Sequence, residues 1–276
     1  MNNNIIAIMY DFDKTLCTKD MQEYTFIPNL GTTAKKFWDE TNKIRKESKI
    51  DSVLAYMYLM LKKTKEKNLE IKREYLNKSG KDIELYKGVE EWFNRINKYA
   101  LKKGVIIEHY IISSGLKEII EGSKIGNCFK EIYASEFYYD ENGFAVWPKL
   151  AVNYTNKTQF LIRINKGILD ISDDYSLNKK MLDNDKRIPA QNMIYIGDGL
   201  TDIPCMKLTK DWGGISIAVY NKQKDIAKLL LEDNRINFAA PANYEENSEL
   251  DLIIKSAIDK IVSINKLNDL KEEKIN

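Results

Sequence analysis

Three short apolar runs constrain the fold of this chain more than any other feature of its sequence. They are IIAIMY at 5–10, VIIEHYII at 105–112 and NMIYIG at 192–197, each too short for a helix and typical of a strand buried on both faces. Each run ends abruptly in small or acidic residues. Because the carboxyl ends of parallel strands meet at one edge of a sheet, where ligands bind, the sequence predicts one shared site at that edge.

The segment between the first two strands is helical in pattern. Apolar residues recur at spacings of three and four in TTAKKFWDETNKIRK and DSVLAYMYLMLKK, and Asp51 is the predicted N-cap of the second helix. The stripe AYMYLMLKK is typical of packing inside a helical unit or against the sheet. We therefore expect an α/β fold, with an open parallel-sheet (Rossmann-like) core of residues 1–16 and 88–276 that has helices on both faces. An inserted all-helical cap at 17–87 is expected to close over the site.

The remainder of the chain adds strands and a helix to this core. IYASEFYY, DENG and FAVWPK follow the alternation and turn chemistry of a hairpin, so residues 132–149 are predicted to form a small antiparallel flap. GGISIAVY at 213–220 predicts one more buried strand, and SELDLIIKSAIDKIVSI predicts a terminal helix capped by Ser248. The chain has no internal repeat, so a repeat architecture is not expected.

Composition and charge indicate which classes of partner and which cellular compartment to expect. The 43 basic and 41 acidic residues give a formal net charge of +2 and are spread along the chain, so nucleic acid is not implied. No apolar run approaches the roughly 20 residues that cross a bilayer, and the N-terminus lacks the basic flank of a secretory signal. With 3 widely spaced cysteines and 1 histidine, neither disulfides nor a zinc site are expected. We expect a cytoplasmic protein that binds neither nucleic acid nor membrane, and the sequence predicts no oligomeric state.

Asp11 and Asp13 are the first candidates for chemistry. They lie two residues apart at the end of a strand, so both side chains leave the same face of the chain and converge on one pocket. Paired carboxylates bind a hard cation, and their mutual repulsion separates their pKa values, so that one can serve as a nucleophile and the other as an acid. Taken alone, DFD also fits a solvated loop after a strand.

The segment GDGLTD at 197–202 follows another predicted strand. Asp198 and Asp202 add oxygen ligands of the kind that magnesium prefers, and the glycines let the backbone approach closely. An ordinary glycine turn with exposed acids is the alternative.

Polar groups also follow the second strand. Ser113 offers a hydroxyl, and Ser114 and Gly115 offer backbone amides, before a helix predicted to begin near Leu116. The start of a helix favours an anion, although Ser113 can equally serve only as the N-cap.

Four pieces of the sequence, taken in order, resemble the four motifs of haloacid dehalogenase superfamily phosphatases. They are DxDxT at 11–15, Ser113 after a strand, Lys157 at the start of the predicted helix KTQFLIRI, and GDGLTD. YDFDKTL and IGDGLTDIPCM are specific motifs, whereas Lys157 rests on its position, and Lys149 is the alternative. The helical insertion is similar to the cap of the phosphoserine phosphatase-like branch, so the resemblance spans nearly the whole chain.

The resemblance implies hydrolysis of a small phosphomonoester in two steps, with magnesium (Mg2+) as the cofactor. Asp11 attacks phosphorus to form an aspartyl phosphate, and Asp13 protonates the leaving oxygen and later activates water. The implied magnesium ligands are the carboxylates of Asp11 and Asp198 and the backbone carbonyl of Asp13, with Asp202 close by or bound through water. The expected partner is a small phosphorylated metabolite.

The resemblance also implies how the substrate is held. Ser113 and Lys157 hold phosphoryl oxygens, and the amides of Ser114 and Gly115 lie beside them. In phosphoserine phosphatases a glutamate nine residues after the nucleophile contacts the substrate amine, whereas this chain has Asp20, whose side chain is one methylene shorter. We therefore expect phosphoserine to be a poor substrate.

Other functions are weighed against hydrolysis. A phosphomutase on the same scaffold stays open, because it shares the aspartate nucleophile. A noncatalytic phospho-ligand binding protein is expected to lack one of the acids, and none is missing. Asp13 argues against dehalogenation, because a halide leaving group needs no proton. His109, Cys17 and Cys205 are expected to pack in the structure and to take no part in catalysis.

Overall fold

A seven-stranded sheet forms the centre of the computed structural model, which describes residues 4–272. Its strands are β1 (Ile5–Tyr10), β2 (Ile106–Leu116), β3 (Glu131–Tyr139), β4 (Ala145–Leu150), β5 (Met193–Gly197), β6 (Ile215–Tyr220) and β7 (Phe238–Pro241). Their order is β4-β3-β2-β1-β5-β6-β7, and every pairing is parallel except that of β3 with β4. The three apolar runs that constrain the fold most form β1, β2 and β5, which lie side by side. The predicted α/β fold is confirmed.

Helices cover both faces of this sheet. They are α1 (Phe26–Asn29), α2 (Ala34–Ser48), α3 (Ser52–Glu66), α4 (Arg73–Ser79), α5 (Val89–Lys102), α6 (Lys117–Glu121), α7 (Lys157–Lys166), α8 (Asp174–Asn178), α9 (Ile203–Asp211), α10 (Asp225–Glu232) and α11 (Glu249–Glu272). Ile6 and Ile8 of β1 belong to a buried cluster with α5 and α11, whereas Ala7 and Met9 belong to one with α7, α9 and α10. This alternation follows from the pleat of a strand buried on both sides. Between residues 4 and 272, no helix is long and apolar enough to cross a membrane.

The predicted antiparallel hairpin at 132–149 is present, but it is part of the main sheet, so it does not form a small flap. β3 pairs in parallel with β2, and β4 lies antiparallel on its outer side. Residues 132–137 are all buried, because this part of β3 is covered on both faces. β7, at the opposite edge, was not predicted, since its four residues are too few to show a pattern.

Helices α1–α4 occupy the segment that the sequence predicts as a cap. Asp51 caps α3 as predicted, with its Oδ1 accepting from the N–H groups of Val53 and Leu54 at 2.8 and 3.2 Å. Apolar side chains of α2 and α3 belong to the same buried cluster as one face of the sheet. The boundaries of this segment as a separate domain stay a prediction.

The helix α4 is joined tightly to elements of the sheet region. A Cβ atom on Gly122, just after α6, would lie 1.7 Å from the carbonyl oxygen of Asn77 in α4, so the two backbones touch. Before α4, the Ile71 carbonyl accepts from the N–H of Ala145 in β4 at 2.8 Å. Together these contacts fix α4 onto the elements that follow β2 and β3.

The two ends of the helical segment also pair with each other. The N–H of Tyr86 donates to the Leu16 carbonyl at 3.0 Å, and the N–H of Thr18 donates to the Glu84 carbonyl at 3.0 Å. The chain therefore leaves and re-enters the sheet region through a single two-stranded connection.

Candidate active site

Four segments meet at the carboxyl edge of the sheet. Asp11 and Asp13 follow β1, the segment 197–202 follows β5, Ser113 lies near the end of β2, and Lys157 is the first residue of α7. Because β1 lies between β2 and β5, its end borders the ends of both strands. The sequence predicted this convergence from the three apolar runs.

Lys157 is fully buried between two carboxylates. Its Nζ lies 3.0 Å from Asp11 Oδ1 and 2.8 Å from Asp202 Oδ1. Burial lowers the pKa of Lys157, but the charges of Asp11 and Asp202 raise it further, so the net shift is upward and the ammonium stays protonated. Lys149, the alternative candidate, is half-exposed and pairs with Glu136 at 3.0 Å. The lysine that the structure brings to Asp11 is therefore Lys157.

The protein holds both carboxylate oxygens of Asp202. Besides Lys157, the Tyr195 hydroxyl donates to Oδ1 at 2.7 Å, and the Gly199 N–H donates to Oδ2 at 3.3 Å. A Cβ atom on Gly197 would lie 2.6 Å from the Asp202 carboxyl carbon, so only glycine leaves room for this carboxylate. Asp202 is thus oriented by the protein itself.

Asp11, Asp198 and Asp202 form an acidic cluster. One carboxylate oxygen from each lies within 4.8 Å of the others. Burial, followed by repulsion from Asp202 and Asp11, raises the pKa of Asp198 to about 8. Burial also raises the pKa of Asp11 to about 6, against the opposing charge of Lys157. A cation would relieve this repulsion, and a set of hard oxygen donors suits magnesium.

The Asp13 carboxylate lies outside that cluster and faces the start of the helical segment. Its Oδ1 accepts from the Met21 N–H at 2.8 Å and lies 3.7 Å from the Cys17 sulfur. Burial, followed by the negative charges of Asp20 and Asp11, raises the pKa of Asp13 well above its usual range. These surroundings favour the protonated form, which is the form that an acid needs.

Ser113 and Gly115 form a tight turn against Asp13. β2 continues to Leu116, so Ser113 does not cap α6. The Gly115 N–H donates to Ser113 Oγ at 3.1 Å, which leaves the hydroxyl proton of Ser113 for another acceptor. A Cβ atom on Gly115 would lie 2.1 Å from the methyl carbon of Met21 and 3.0 Å from Asp13 Oδ2, so a side chain there would have to displace the end of Met21.

Asp20 already has a partner of its own. Lys14 Nζ lies 2.8 and 2.7 Å from its two carboxylate oxygens. The pair is partly exposed, in contrast to the buried Lys157. The carboxylate predicted to meet a substrate ammonium is therefore neutralised by a lysine of the Asp11–Asp13 loop.

Three residues of the site were missed by sequence reasoning: Tyr195, Met21 and Tyr56. A tyrosine inside a buried strand needs a partner for its hydroxyl, which is the signal that indicates a role for Tyr195. Met21 acts through its backbone N–H, which leaves no trace in a sequence pattern. Tyr56 donates to the Ser114 carbonyl at 2.7 Å, but its helical stripe does not show which tyrosine points to the sheet.

The histidine and two cysteines near the site are packed into the structure. His109 is buried and bonded to the Tyr10 hydroxyl at 3.0 Å and to Asn97 Oδ1 at 2.9 Å, and burial lowers its pKa to about 3. Burial raises the pKa of Cys205 to about 12 and that of Cys17 well above its usual range. Neutral thiols and a neutral imidazole with both nitrogens bonded are poor candidates for catalysis.

Comparisons with known proteins show which family this chain is similar to. The sequence model of the haloacid dehalogenase-like hydrolase family matches residues 8–207. An uncharacterized protein of Borreliella burgdorferi is 28% identical over 274 residues, which covers 90% of this chain and 94% of that protein.

Solved structures show the same fold. A haloacid dehalogenase family hydrolase from Salmonella enterica serovar Typhi matches with a TM-score of 0.60 and 18% identity, covering 91% of this chain and 70% of that one. A phosphoserine phosphatase with an analogue of its phospho-aspartyl intermediate matches with a TM-score of 0.56 and 15% identity, covering 92% and 99%. At these identities the structural matches establish the architecture alone.

Proposed function

The chain belongs to the haloacid dehalogenase-like hydrolase family, and we propose that it hydrolyses a small phosphomonoester with magnesium, through an aspartyl phosphate on Asp11. The observation that carries the proposal is the buried Lys157, whose ammonium lies 3.0 Å from Asp11 and 2.8 Å from Asp202. A carboxylate that approaches a phosphate dianion is repelled, and a fixed buried cation offsets that repulsion.

The first step transfers the phosphoryl group to the protein. A carboxylate oxygen of Asp11 attacks phosphorus, and the bond from phosphorus to the leaving oxygen breaks. Asp13, in its protonated form, donates its proton to that oxygen, so the leaving group departs as an alcohol. Lys157 and the free hydroxyl proton of Ser113 hold the phosphoryl oxygens, with the amide of Ser114 beside them. The Gly115 amide, which the sequence also offered for this role, is already bonded to Ser113 Oγ.

The second step releases phosphate. The Asp13 carboxylate, now ionised, takes a proton from water, whose oxygen attacks phosphorus and frees Asp11. Magnesium supplies positive charge against the phosphoryl oxygens when it is bound by the Asp11 and Asp198 carboxylates and the Asp13 carbonyl. Asp202 holds Lys157 in place through the 2.8 Å contact of its Oδ1 with Lys157 Nζ, and it would act on the metal through a bound water.

The substrate we propose is a small cytoplasmic phosphorylated metabolite other than phosphoserine. Lys14 already occupies both oxygens of Asp20, so a substrate ammonium would have to displace a lysine to reach that carboxylate. A neutral or anionic leaving group faces no such competition. Phosphoserine is therefore expected to rank low in a substrate panel.

The activity can be tested directly with a panel of phosphorylated metabolites and magnesium. We expect release of inorganic phosphate from at least one monoester, and not its transfer to a second position of the substrate. Removing magnesium with EDTA is expected to stop the reaction, and adding it back to restore it. Full activity in metal-free buffer would contradict the proposal.

Asp11→Asn is expected to lower phosphate release to below about a tenth of wild type, because the amide is a poor nucleophile and a poor metal ligand. Asp39→Asn is the matched control, since Asp39 is exposed on α2 and pairs only with Lys35 among the described residues. Comparable turnover in both variants would remove Asp11 from its proposed role.

A further inference from the structure

Helix α3 contacts two separate turns at the carboxyl edge of the sheet. Near its start, the Tyr56 hydroxyl donates to the Ser114 carbonyl at 2.7 Å. At its N-cap, Asp51 Oδ2 accepts from the Asn153 side-chain amide at 3.0 Å. The first turn carries Ser113, and the second leads into Lys157. Both residues proposed to hold the phosphoryl group are therefore next to a contact made by the same helix.

The Tyr56 contact leads to the Ser113 hydroxyl through a short chain of hydrogen bonds. The Ser114 carbonyl and the Gly115 N–H belong to one planar peptide unit, so a donor that fixes the carbonyl also fixes the N–H. That N–H donates to Ser113 Oγ at 3.1 Å. With this acceptor position occupied, the Ser113 proton is directed elsewhere. Ser135 Oγ lies 3.2 Å from the same carbonyl as a second, fixed partner.

The Asp51 contact leads to Lys157 in a similar way. Asn153 Oδ1 accepts from the N–H groups of Thr155 and Asn156 at 3.1 and 3.0 Å, and the Asn153 carbonyl accepts from the Lys157 N–H at 3.0 Å. Asn153 therefore shapes the turn that starts α7. The side-chain amide nitrogen of Asn153 donates to Asp51 Oδ2, and the other carboxylate oxygen of Asp51 caps α3.

We propose that α3 sets the geometry of both phosphoryl-binding turns, with Tyr56 and Asp51 as its positioning residues. Tyr56 is 5% exposed, and burial raises its pKa, so its hydroxyl stays a donor. When α3 sits against the sheet, the Ser113 hydroxyl and the start of α7 are oriented together, and when it moves away both lose a partner. This inference rests on the proposed hydrolysis, and it identifies which contacts of the helical segment prepare the site.

Tyr56→Phe removes one hydroxyl and keeps the packed ring, which makes it the first test. With p-nitrophenyl phosphate and magnesium, we expect kcat to fall about tenfold, or about 1.4 kcal/mol, while KM changes by less than about threefold. Tyr58→Phe is the control on the same helix, because Tyr58 is 51% exposed. Equal kcat values in the two variants would overturn the role of Tyr56.

Asp51→Asn tests the second contact without removing the helix cap, because asparagine caps as well as aspartate. It turns an acceptor toward the Asn153 amide into a donor, and kcat is expected to fall. Combining it with Asn153→Asp reverses the polarity of the pair and keeps an acceptor for the turn at 153–156. We expect the double variant to recover most of the lost kcat, and no recovery would contradict the proposal.

A measurement that needs no activity separates this inference from the proposed function. Amide hydrogen exchange is expected to quicken at residues 113–116 in Tyr56→Phe, and not in Tyr58→Phe. If wild type releases no phosphate but this exchange difference is present, the hydrolysis proposal fails and the positioning contact stands. If exchange at 113–116 is the same in both variants, the positioning contact fails.

Discussion

Two lysine–carboxylate groups lie at the same edge of the sheet and differ in burial. Lys157 is fully buried with Asp11 and Asp202, whereas the side chains of Lys14 and Asp20 are 49% and 27% exposed. Water screens the exposed pair, and such pairs contribute about 0–1 kcal/mol, but a buried charge that loses its partner has no solvent to replace it. The comparison teaches that the charges we propose for phosphoryl transfer lie where they cannot rearrange. The exposed pair that we propose as a determinant of substrate choice can rearrange at little cost.

Of the variants that test this comparison, Lys157→Met should have the largest effect on activity and on stability. The variant keeps an unbranched side chain of similar length but leaves Asp11 and Asp202 without their cation. We expect kcat to fall by about 10²–10³-fold, and the free energy of unfolding to fall by about 3–5 kcal/mol. Steady-state kinetics and thermal unfolding measure the two effects.

Lys149→Met is the matched control for that variant, since Lys149 is half-exposed and pairs with Glu136. It is expected to change both quantities little. A larger loss of activity in Lys149→Met than in Lys157→Met would show that the wrong lysine has been assigned to Asp11.

Gly197→Ala should disturb the buried contact between Asp202 and Lys157 by placing a methyl group against Asp202. The added methyl would lie 2.6 Å from the Asp202 carboxyl carbon, so the carboxylate must move away from Lys157 or the strand must shift. Overpacking of this kind costs about 1–3 kcal/mol, and we expect kcat to fall about tenfold.

Gly199→Ala is the control in the same loop, because a Cβ atom there meets no heavy atom within 4 Å. Its kinetics should stay close to those of wild type. Equal losses in the two variants would indicate general damage to the loop and no special role for the fit of Asp202.

Lys14→Gln, which alters the exposed pair, should produce the smallest effect, a change in substrate preference with little change in stability. It releases Asp20, so the ratio of kcat/KM for phosphoserine to that for the best substrate should rise about three- to tenfold, while stability changes by less than about 1 kcal/mol. The ratio is the useful quantity, because any effect of Lys14 on Asp13 acts on both substrates. Lys35→Gln, which breaks another exposed pair, is expected to leave the ratio unchanged.

The sequence predicted the parts of the site that depend on local order. Asp11 and Asp198 could be placed because each follows a continuous apolar run, and the ends of parallel strands must meet. Lys157 could not be separated from Lys149 in this way, since the choice depends on how α7 packs across the sheet. The pairing of Lys14 with Asp20 was missed for a related reason: the chain must turn at 14–20 to bring the two residues together.

The fold shows the same division between local and long-range information. Asp51 was predicted as a cap because capping is decided within one turn of helix. The hairpin was correctly read as antiparallel, but its place beside β2 depends on a partner strand that its own pattern does not specify. Tyr56 lies in a stripe with several apolar neighbours, and only the packed structure shows that its hydroxyl meets Ser114.

The tight backbone contact between α4 and Gly122 limits how closely the helical segment can approach the sheet. A Cβ atom at position 122 would lie 1.7 Å from the Asn77 carbonyl oxygen, so any side chain there would push α4 away from α6. The chain is also paired at 16–18 and 84–86, and Lys14 ties Asp20 to the loop of Asp11 just after the first of these segments. The absence of a side chain at one residue therefore sets the distance between the helices that follow Asp20 and the edge of the sheet that carries Asp11.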